Sequence, residues 1–395
     1  MNLTLKTIGN VTEKLNEYLK PYVCVMDKPR RKVLPLLMEG MLASGSCLIA
    51  ESVREVNPEH LETTERRFLR TLASPHWDET ELWVTHLKET AKAIKPDTMI
   101  TLDISDLAKP HALKLEALAT VRDGSKKTLT KGYWMFAMTA ALVKDRILPI
   151  VHEVFSQESD EFRSQNDILF FWVKGLLHLT DQKGLYVIDR GGDGDPIFNF
   201  FLDEKAKFLI RLTGNRILLS EGKPVIFSDI PSKLPFGLRK ILKKHHSNIT
   251  FDWQRVTLPH RTEKLTLITV RGSQDRKPMF LLTNQSVSSR QEIAFLIDRY
   301  FKRWEIEESF RFLKQQFRLE KFLIRGFRAI QRFYFLLCIA WGFLTSLMRF
   351  KRIRKLIEAV SFSFKRKLDF FYYRWLRGLQ FLFSLIHTFR FLEVI

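Results

Sequence analysis

The sequence predicts an α/β protein, with a mixed sheet at its centre and helical regions at both ends. Three observations carry that expectation. Two short apolar runs, Thr98-Met99-Ile100-Thr101-Leu102-Asp103-Ile104 and Gly184-Leu185-Tyr186-Val187-Ile188-Asp189, are β-rich and each reaches an acid. Helical text lies between strand-like runs, over 166–179 and 196–205. Residues 1 to about 97 place their apolar positions at helical spacing throughout.

Taken in order, Pro29 and Arg30-Arg31-Lys32 open a helix in which Val33, Leu36, Leu37 and Met41 recur on one face. Gly45-Ser46 breaks it, and 47–54 starts another. Two short helices around a glycine turn, with basic residues at the start, fit a helix-turn-helix reader of DNA. A generic helical bundle gives the same pattern. Two further helical stretches run near 61–73 and 79–93. The texture changes around Lys95-Pro96-Asp97. The first strand is followed by strand-like runs at 133–143 and 146–155, joined at Lys144-Asp145. A helix, the Gly184 strand, a second helix and a fifth strand at 208–212 come next. Residues 213 to about 285 then read as short strands and turns, among them 217–219, 225–227, 249–251, 265–270 and 279–282.

The chain has 395 residues, 45% of them hydrophobic, enough for two or three domains with sizeable cores and too apolar for disorder. Its 64 Lys+Arg against 44 Asp+Glu leave a formal net charge of +20. A charge this large points to a polyanionic partner, either nucleic acid or an anionic membrane surface. The cations are spread along the chain, which favours an extended groove over a basic arm. The block 341–395 is the most basic: Arg349, Lys351, Arg352, Arg354, Lys355, Lys365, Arg366, Lys367, Arg374, Arg377 and Arg390 face Glu358, Asp369 and Glu393, eleven minus three, or +8. Interleaved Phe and Tyr suit both base stacking and phosphate contacts; a basic tail packed on the core reads the same way. Cys24, Cys47 and Cys338 form no CxxC pair, so a reducing compartment is expected. Residues 1–6 are polar and lead into no apolar run, so no secretory signal is expected. The uncharged segment 333–348 is 16 residues long. That falls short of the ~20 that span a bilayer, and a buried core helix is expected there.

The most specific stretch is Tyr300-Phe301-Lys302-Arg303-Trp304-Glu305-Ile306-Glu307-Glu308-Ser309-Phe310-Arg311-Phe312-Leu313-Lys314. It lacks Gly and Pro and predicts one helix. Relative to Tyr300, Arg303, Glu307 and Lys314 then fall at roughly −60°, −20° and −40°, beside Ile306, Phe310, Leu313 and Phe317 at roughly −80° to −140°. Such a helix delivers a carboxylate and two cations to the rim of a core. A solvated charged face is the plain alternative.

The pattern Tyr-x2-Arg-x3-Glu-x6-Lys, met at Tyr300, Arg303, Glu307 and Lys314, resembles the signature of bacterial insertion-sequence transposases of the "insertion sequence four" type. The element order resembles their ribonuclease-H-like core, and the β-rich insertion at 213–285 resembles theirs too. The resemblance covers roughly 95–345. It implies a ribonuclease-H-like core over 98–212 and 286–345 with the insertion at 213–285; a helical DNA-binding region over 1–97 and a basic aromatic helical region over 346–395 are expected on either side from their own pattern and charge.

Cutting and rejoining phosphodiesters calls for a nucleophile and for charge neutralisation on the leaving oxygen, which two divalent ions about 4 Å apart supply. Hard Mg²⁺ takes oxygen ligands. Asp103 ends the first strand in this reading, Asp189 the fourth, and Glu307 sits on the stripe. Any single strand-end Asp is an ordinary turn or cap residue. By resemblance, Asp103 bridges two Mg²⁺ ions (Mn²⁺ able to substitute), Asp189 holds one and Glu307 the other. Asp106 competes with Asp103 if the strand ends later. Glu305 and Glu308 fall roughly 160° and 100° off the stripe. The second acid block departs from the family pattern: Gly192 follows Asp189-Arg190-Gly191 where an aromatic is usual, with Asp193 and Asp195 close behind.

By the same resemblance Tyr300, Arg303 and Lys314 contact phosphates, and Trp253 of the insertion is positioned to stack on a flipped base, an ordinary packed aromatic being the alternative. His245-His246 lack a third ligand at zinc spacing and read as loop residues. The implied protein is a metal-dependent DNA transposase of the bacterial cytoplasm, nucleoid-associated, binding double-stranded element ends and target. Two ends must meet, so a homodimer on DNA is expected, with no membrane partner. The rivals are a nuclease on the same core that cuts without joining, a DNA-binding protein with a decayed site, and a basic membrane-associated protein.

Overall fold

The computed structural model describes residues 5–124, 126–143, 146–242, 245–272, 277–361 and 370–392. The expected Lys144-Asp145 join, the first four residues of the chain, and Lys365, Arg366, Lys367, Asp369 and Glu393 lie outside them.

In chain order the helices α1 (Leu5–Cys24), α2 (Lys28–Ser44), α3 (Ile49–Val56), α4 (Leu61–Ala73) and α5 (Glu79–Ala91) come first. Strands β1 (Met99–Ala108), β2 (Ala119–Arg122), β3 (Leu129–Leu142) and β4 (Arg146–Phe155) follow, then α6 (Gln165–Thr180), β5 (Leu185–Ile188), α7 (Asp195–Asp203) and β6 (Lys207–Arg211). Next stand β7 (Ile217–Ser220), β8 (Lys223–Ile226), β9 (Phe236–Leu242), β10 (His245–Val256), β11 (Leu265–Gly272) and β12 (Met279–Thr283). The chain closes with α8 (Arg290–Lys302), α9 (Trp304–Gln316), α10 (Phe327–Leu347), α11 (Lys351–Val360) and α12 (Tyr372–Leu392). The protein is mixed α/β with helices at both ends, as its sequence predicts. It divides into two compact units: residues 1–92, 104–163 and 307–395 in one, 93–103 and 164–306 in the other.

In the first unit, Pro29 lies in the first turn of α2 and Gly45 ends the helix with φ +58°, as the sequence predicts; Asp27, which the sequence reading did not single out, caps it by accepting from the Arg30 backbone N–H at 3.2 Å. Helices α2 and α3 cross at a bend of 101°, the geometry of a helix-turn-helix. Their charge is less suited to the groove: α3 carries one cation, Arg54, and Glu51 is held by Arg318 at 2.9 Å. Helix α10 is the spine of this unit. It is long and apolar enough to cross a membrane, yet 89% of its most apolar window is buried in the protein, as expected of a core helix. Several of its polar groups are bonded within the unit. Arg332 donates to the Leu72 and Ser74 carbonyls at 2.6 and 2.7 Å, Gln331 to Val154 O at 3.0 Å, and Thr345 to Ile147 O at 2.7 Å. Strand β3 pairs antiparallel with β2 and with β4. The short β2 is absent from the sequence expectation because only four residues carry it.

The second unit is a mixed sheet. Strand β1 pairs parallel with β5 (Met99 opposite Leu185, Thr101 opposite Val187), and β5 pairs parallel with β6. The ladder then continues antiparallel through β12, β11, β10 and β9. The β-rich stretch after β6 therefore returns to the edge of β6 and lengthens the same sheet, while β7 and β8 form a separate hairpin. His245 and His246 correct the loop expectation: they begin β10, opposite Leu242 and Ile241 of β9.

Candidate active site

The β1–β5 register runs as far as Thr101 opposite Val187; Asp103 stands two residues further along β1, and Asp189 two residues after Val187, directly beyond the end of β5. Asp103 does not end its strand, as the sequence suggested; β1 runs on to Ala108. Apolar and polar residues alternate through Leu102, Asp103, Ile104 and Ser105, so nothing in the local text marks an end. Asp189 does end β5. Its carboxylate accepts the Gly191 N–H at 2.8 Å and so starts a 3-10 turn over Arg190–Gly192.

That turn explains the departure at Gly192. A Cβ there would stand 2.7 Å from Ile188 Cγ2 and 3.2 Å from Ile210 Cγ2, so no side chain fits. The residues that follow are tied down by Arg216. Its guanidinium bonds both Asp193 and Asp195 and lies 4.9 Å over the Phe198 ring, while Asp193 also accepts the Thr213 N–H at 2.5 Å. Burial lowers the Arg216 pKa, but the bonds from Asp195 and Asp193 outweigh it and the net shift is upward, so the cation is permanent. No sequence signal singled out Arg216; the Asp193-Gly194-Asp195 pair was the only hint.

The stretch from Tyr300 is not one helix. Helix α8 stops at Lys302 and α9 starts at Trp304, with Arg303 at the joint. Arg303 N–H donates to Tyr300 O and Ile306 N–H to Arg303 O, each spanning three residues instead of four. The turn tightens there without any Gly or Pro, which is why the sequence hid it. Angular positions counted from Tyr300 across the joint therefore fail, although Glu307 and Lys314 share α9. Tyr300 is buried at the end of α8, and Glu307 is exposed. The Arg303 guanidinium stands 3.7 Å from Asp103.

Lys314 meets carboxylates instead of open solvent. Its ammonium lies 3.3 Å from Asp106 and 3.2 Å from Glu320. Asp106, the rival to Asp103, is buried, and it also accepts the Gly124 N–H at 3.3 Å. Glu320 accepts the Ala108 N–H at 3.3 Å, and Lys109 donates to the Glu320 and Phe322 carbonyls at 3.0 and 2.6 Å. Sequence reading missed this web because its members lie some two hundred positions apart. Glu308 pairs with Arg311. Trp253, in β10, stacks on Phe236 with ring centroids 5.0 Å apart, so part of its face is already covered. Among the described residues no three His, Cys, Asp or Glu side chains gather closely enough to hold a metal ion.

Residues 152–343 match the family model described as the transposase DDE domain. That likeness to a transposase domain supports DNA cleavage and strand transfer in DNA transposition. The matched span takes in Asp189, Trp253, Tyr300, Arg303, Glu307 and Lys314; Asp103 precedes it. None of the curated proteins matches the chain. The cryo-EM structure of the piggyBac transposase synaptic complex with hairpin DNA is similar over 99% of this chain and 80% of that one, at 11% identity and a TM-score of 0.47. So distant a likeness assigns no residue of the DDE domain.

Proposed function

We propose that Asp103, Asp189 and Glu307 are the three acids of this DDE domain, in a transposase of the insertion-sequence-four type with a ribonuclease-H-like core. The observation that supports the reading is the parallel pairing of β1 with β5, since Asp103 and Asp189 each follow two residues after the paired Thr101 and Val187. Two carboxylates so placed are hard oxygen donors of the kind Mg²⁺ takes. When bound, a pair of Mg²⁺ ions supplies charge neutralisation at the scissile phosphate. The chain's own groups do the rest. Gly191 N–H orients the Asp189 carboxylate, leaving its second oxygen for a ligand. Arg303 holds positive charge beside Asp103, where it can also reach a phosphate oxygen. Tyr300 supports that joint from the core, and Trp253 offers its free face to a base.

In this reading the helices before residue 98 and the region after 345 serve DNA binding. The ends of the element are held by a homodimer on DNA, at the bacterial nucleoid. The test is incubation with labelled duplex element ends and Mg²⁺. Wild type should yield both nicked and joined products, and Asp103→Ala, Asp189→Ala and Glu307→Ala should yield neither while still binding ends. Nicks without joined products would favour a nuclease, and near-normal cutting by one variant would remove that residue from the site.

A further inference from the structure

Helix α11 divides its residues cleanly by face. Ile353, Leu356, Ile357 and Val360 are buried, whereas Lys351, Arg352, Arg354 and Lys355 are exposed, as is Arg349 just before them. Arg354 is paired with Glu358 at 2.8 Å. Among the described residues, Arg349, Lys351, Arg352 and Lys355 form no ion pair. Their charge reaches inward: the Arg146 pKa is lowered, first by burial and then by Arg349. Phe350, 40% exposed, sits among these cations, with the Lys14 ammonium 5.2 Å over its ring.

The helix is also held firmly. Arg374 of α12 donates to Glu358 O and to Ser361 Oγ, both at 2.8 Å, and so closes the end of α11. Lys351 and Lys355 are one turn apart, about 6 Å along the axis. Two steps along one strand of duplex DNA cover about 6.8 Å. A membrane surface is the other polyanion a basic helix could meet, but it would need the apolar face of that helix. Here that face is buried in the protein.

We propose that the exposed face of Arg349, Lys351, Arg352 and Lys355 grips the phosphate backbone of duplex DNA without reading its sequence. The proposal rests on the transposase reading. Each phosphate contact contributes about −0.9 to the slope of log affinity against log salt, or about 3.5-fold in affinity between 50 and 200 mM.

The test is a salt titration of binding to random-sequence duplex DNA. The variant R349Q/K351Q/R352Q/K355Q should lower the slope by about 3 to 4, and K351Q/K355Q by about half as much. A control that removes the same charge from exposed positions of the β-rich stretch after β6, K223Q/K233Q/K264Q/K277Q, should lower it less. An unchanged slope in the first variant overturns the proposal, and so does an equal fall in the control, which would mean net charge alone. So does a variant that keeps the DNA slope but no longer floats with phosphatidylserine vesicles. Cutting of element ends by wild type, run alongside, keeps the two readings apart. Binding with a steep slope but no cutting sinks the transposase reading and leaves the α11 result standing.

Discussion

Lys314 shows how a residue's neighbours change its meaning. As a phosphate contact it would be expendable for folding. Held between Asp106 and Glu320, it neutralises a buried carboxylate. Lys314→Met should therefore lower stability by about 1–3 kcal/mol, since it leaves Asp106 without its cation. Arg311→Met, whose side chain is 56% exposed in its pair with Glu308, should cost less than about 1 kcal/mol. Thermal melts of the two variants decide it: equal melting temperatures would mean that Lys314 is free to serve DNA. His86 and His152 give a pH dependence at the same scale. Burial holds them neutral, down to about 4 for His86 and about 3 for His152, against an ordinary value of 6.5. Below 6.5 the unfolded chain takes up these protons and the folded chain does not. Their contribution is thus intact above 6.5 and falls with pH, by up to about 1.4 kcal/mol per pH unit for each histidine, until the folded values are reached. His152→Phe, which keeps a ring against Trp341, should roughly halve the drop in melting temperature between pH 6.5 and 5. An undiminished drop would place the acid sensitivity elsewhere.

At the scale of elements, the turn after β5 is the part most exposed to error. Gly192 has no room for a side chain, and Arg216 fastens Asp193 and Asp195 behind it. Asp189 thus gets its aim from a loop that is pinned at both sides. On the proposal that Asp189 holds Mg²⁺, Arg216→Gln should raise the Mg²⁺ concentration for half-maximal cutting by about ten- to a hundredfold, the usual cost of losing support behind a metal ligand. DNA affinity should stay the same. A fall in DNA affinity with unchanged Mg²⁺ dependence would make Arg216 a DNA contact instead. Gly192→Ala should slow cutting and lower the melting temperature, equivalent to about 1–3 kcal/mol of overpacking against Ile188 and Ile210. A melting temperature equal to wild type would show that the turn can open.

For the whole molecule, charge is the governing property. A net +20 on a DNA-cutting chain implies many phosphate contacts and a steep loss of affinity with added salt. Titration of duplex binding from low to physiological ionic strength checks it, and a flat response would favour a few base-specific contacts over an extended basic surface.

The sequence by itself determined the class of the fold, since strand and helix periodicity, Pro29, Gly45 and the acid after Ile188 are all local signals. The Tyr-x2-Arg-x3-Glu-x6-Lys spacing that carried the transposase expectation is also legible in one dimension. The joint at Arg303 was illegible, as no residue there forbids a continuous helix. So was the extent of β1 past Asp103, because a strand's end is set by its partners' ladder. Only the tertiary structure decided that Lys314 answers Asp106, that Arg216 answers Asp193 and Asp195, and that β1 lies parallel to β5. Each of those is a meeting between residues far apart in the chain, and electrostatics and packing act through space.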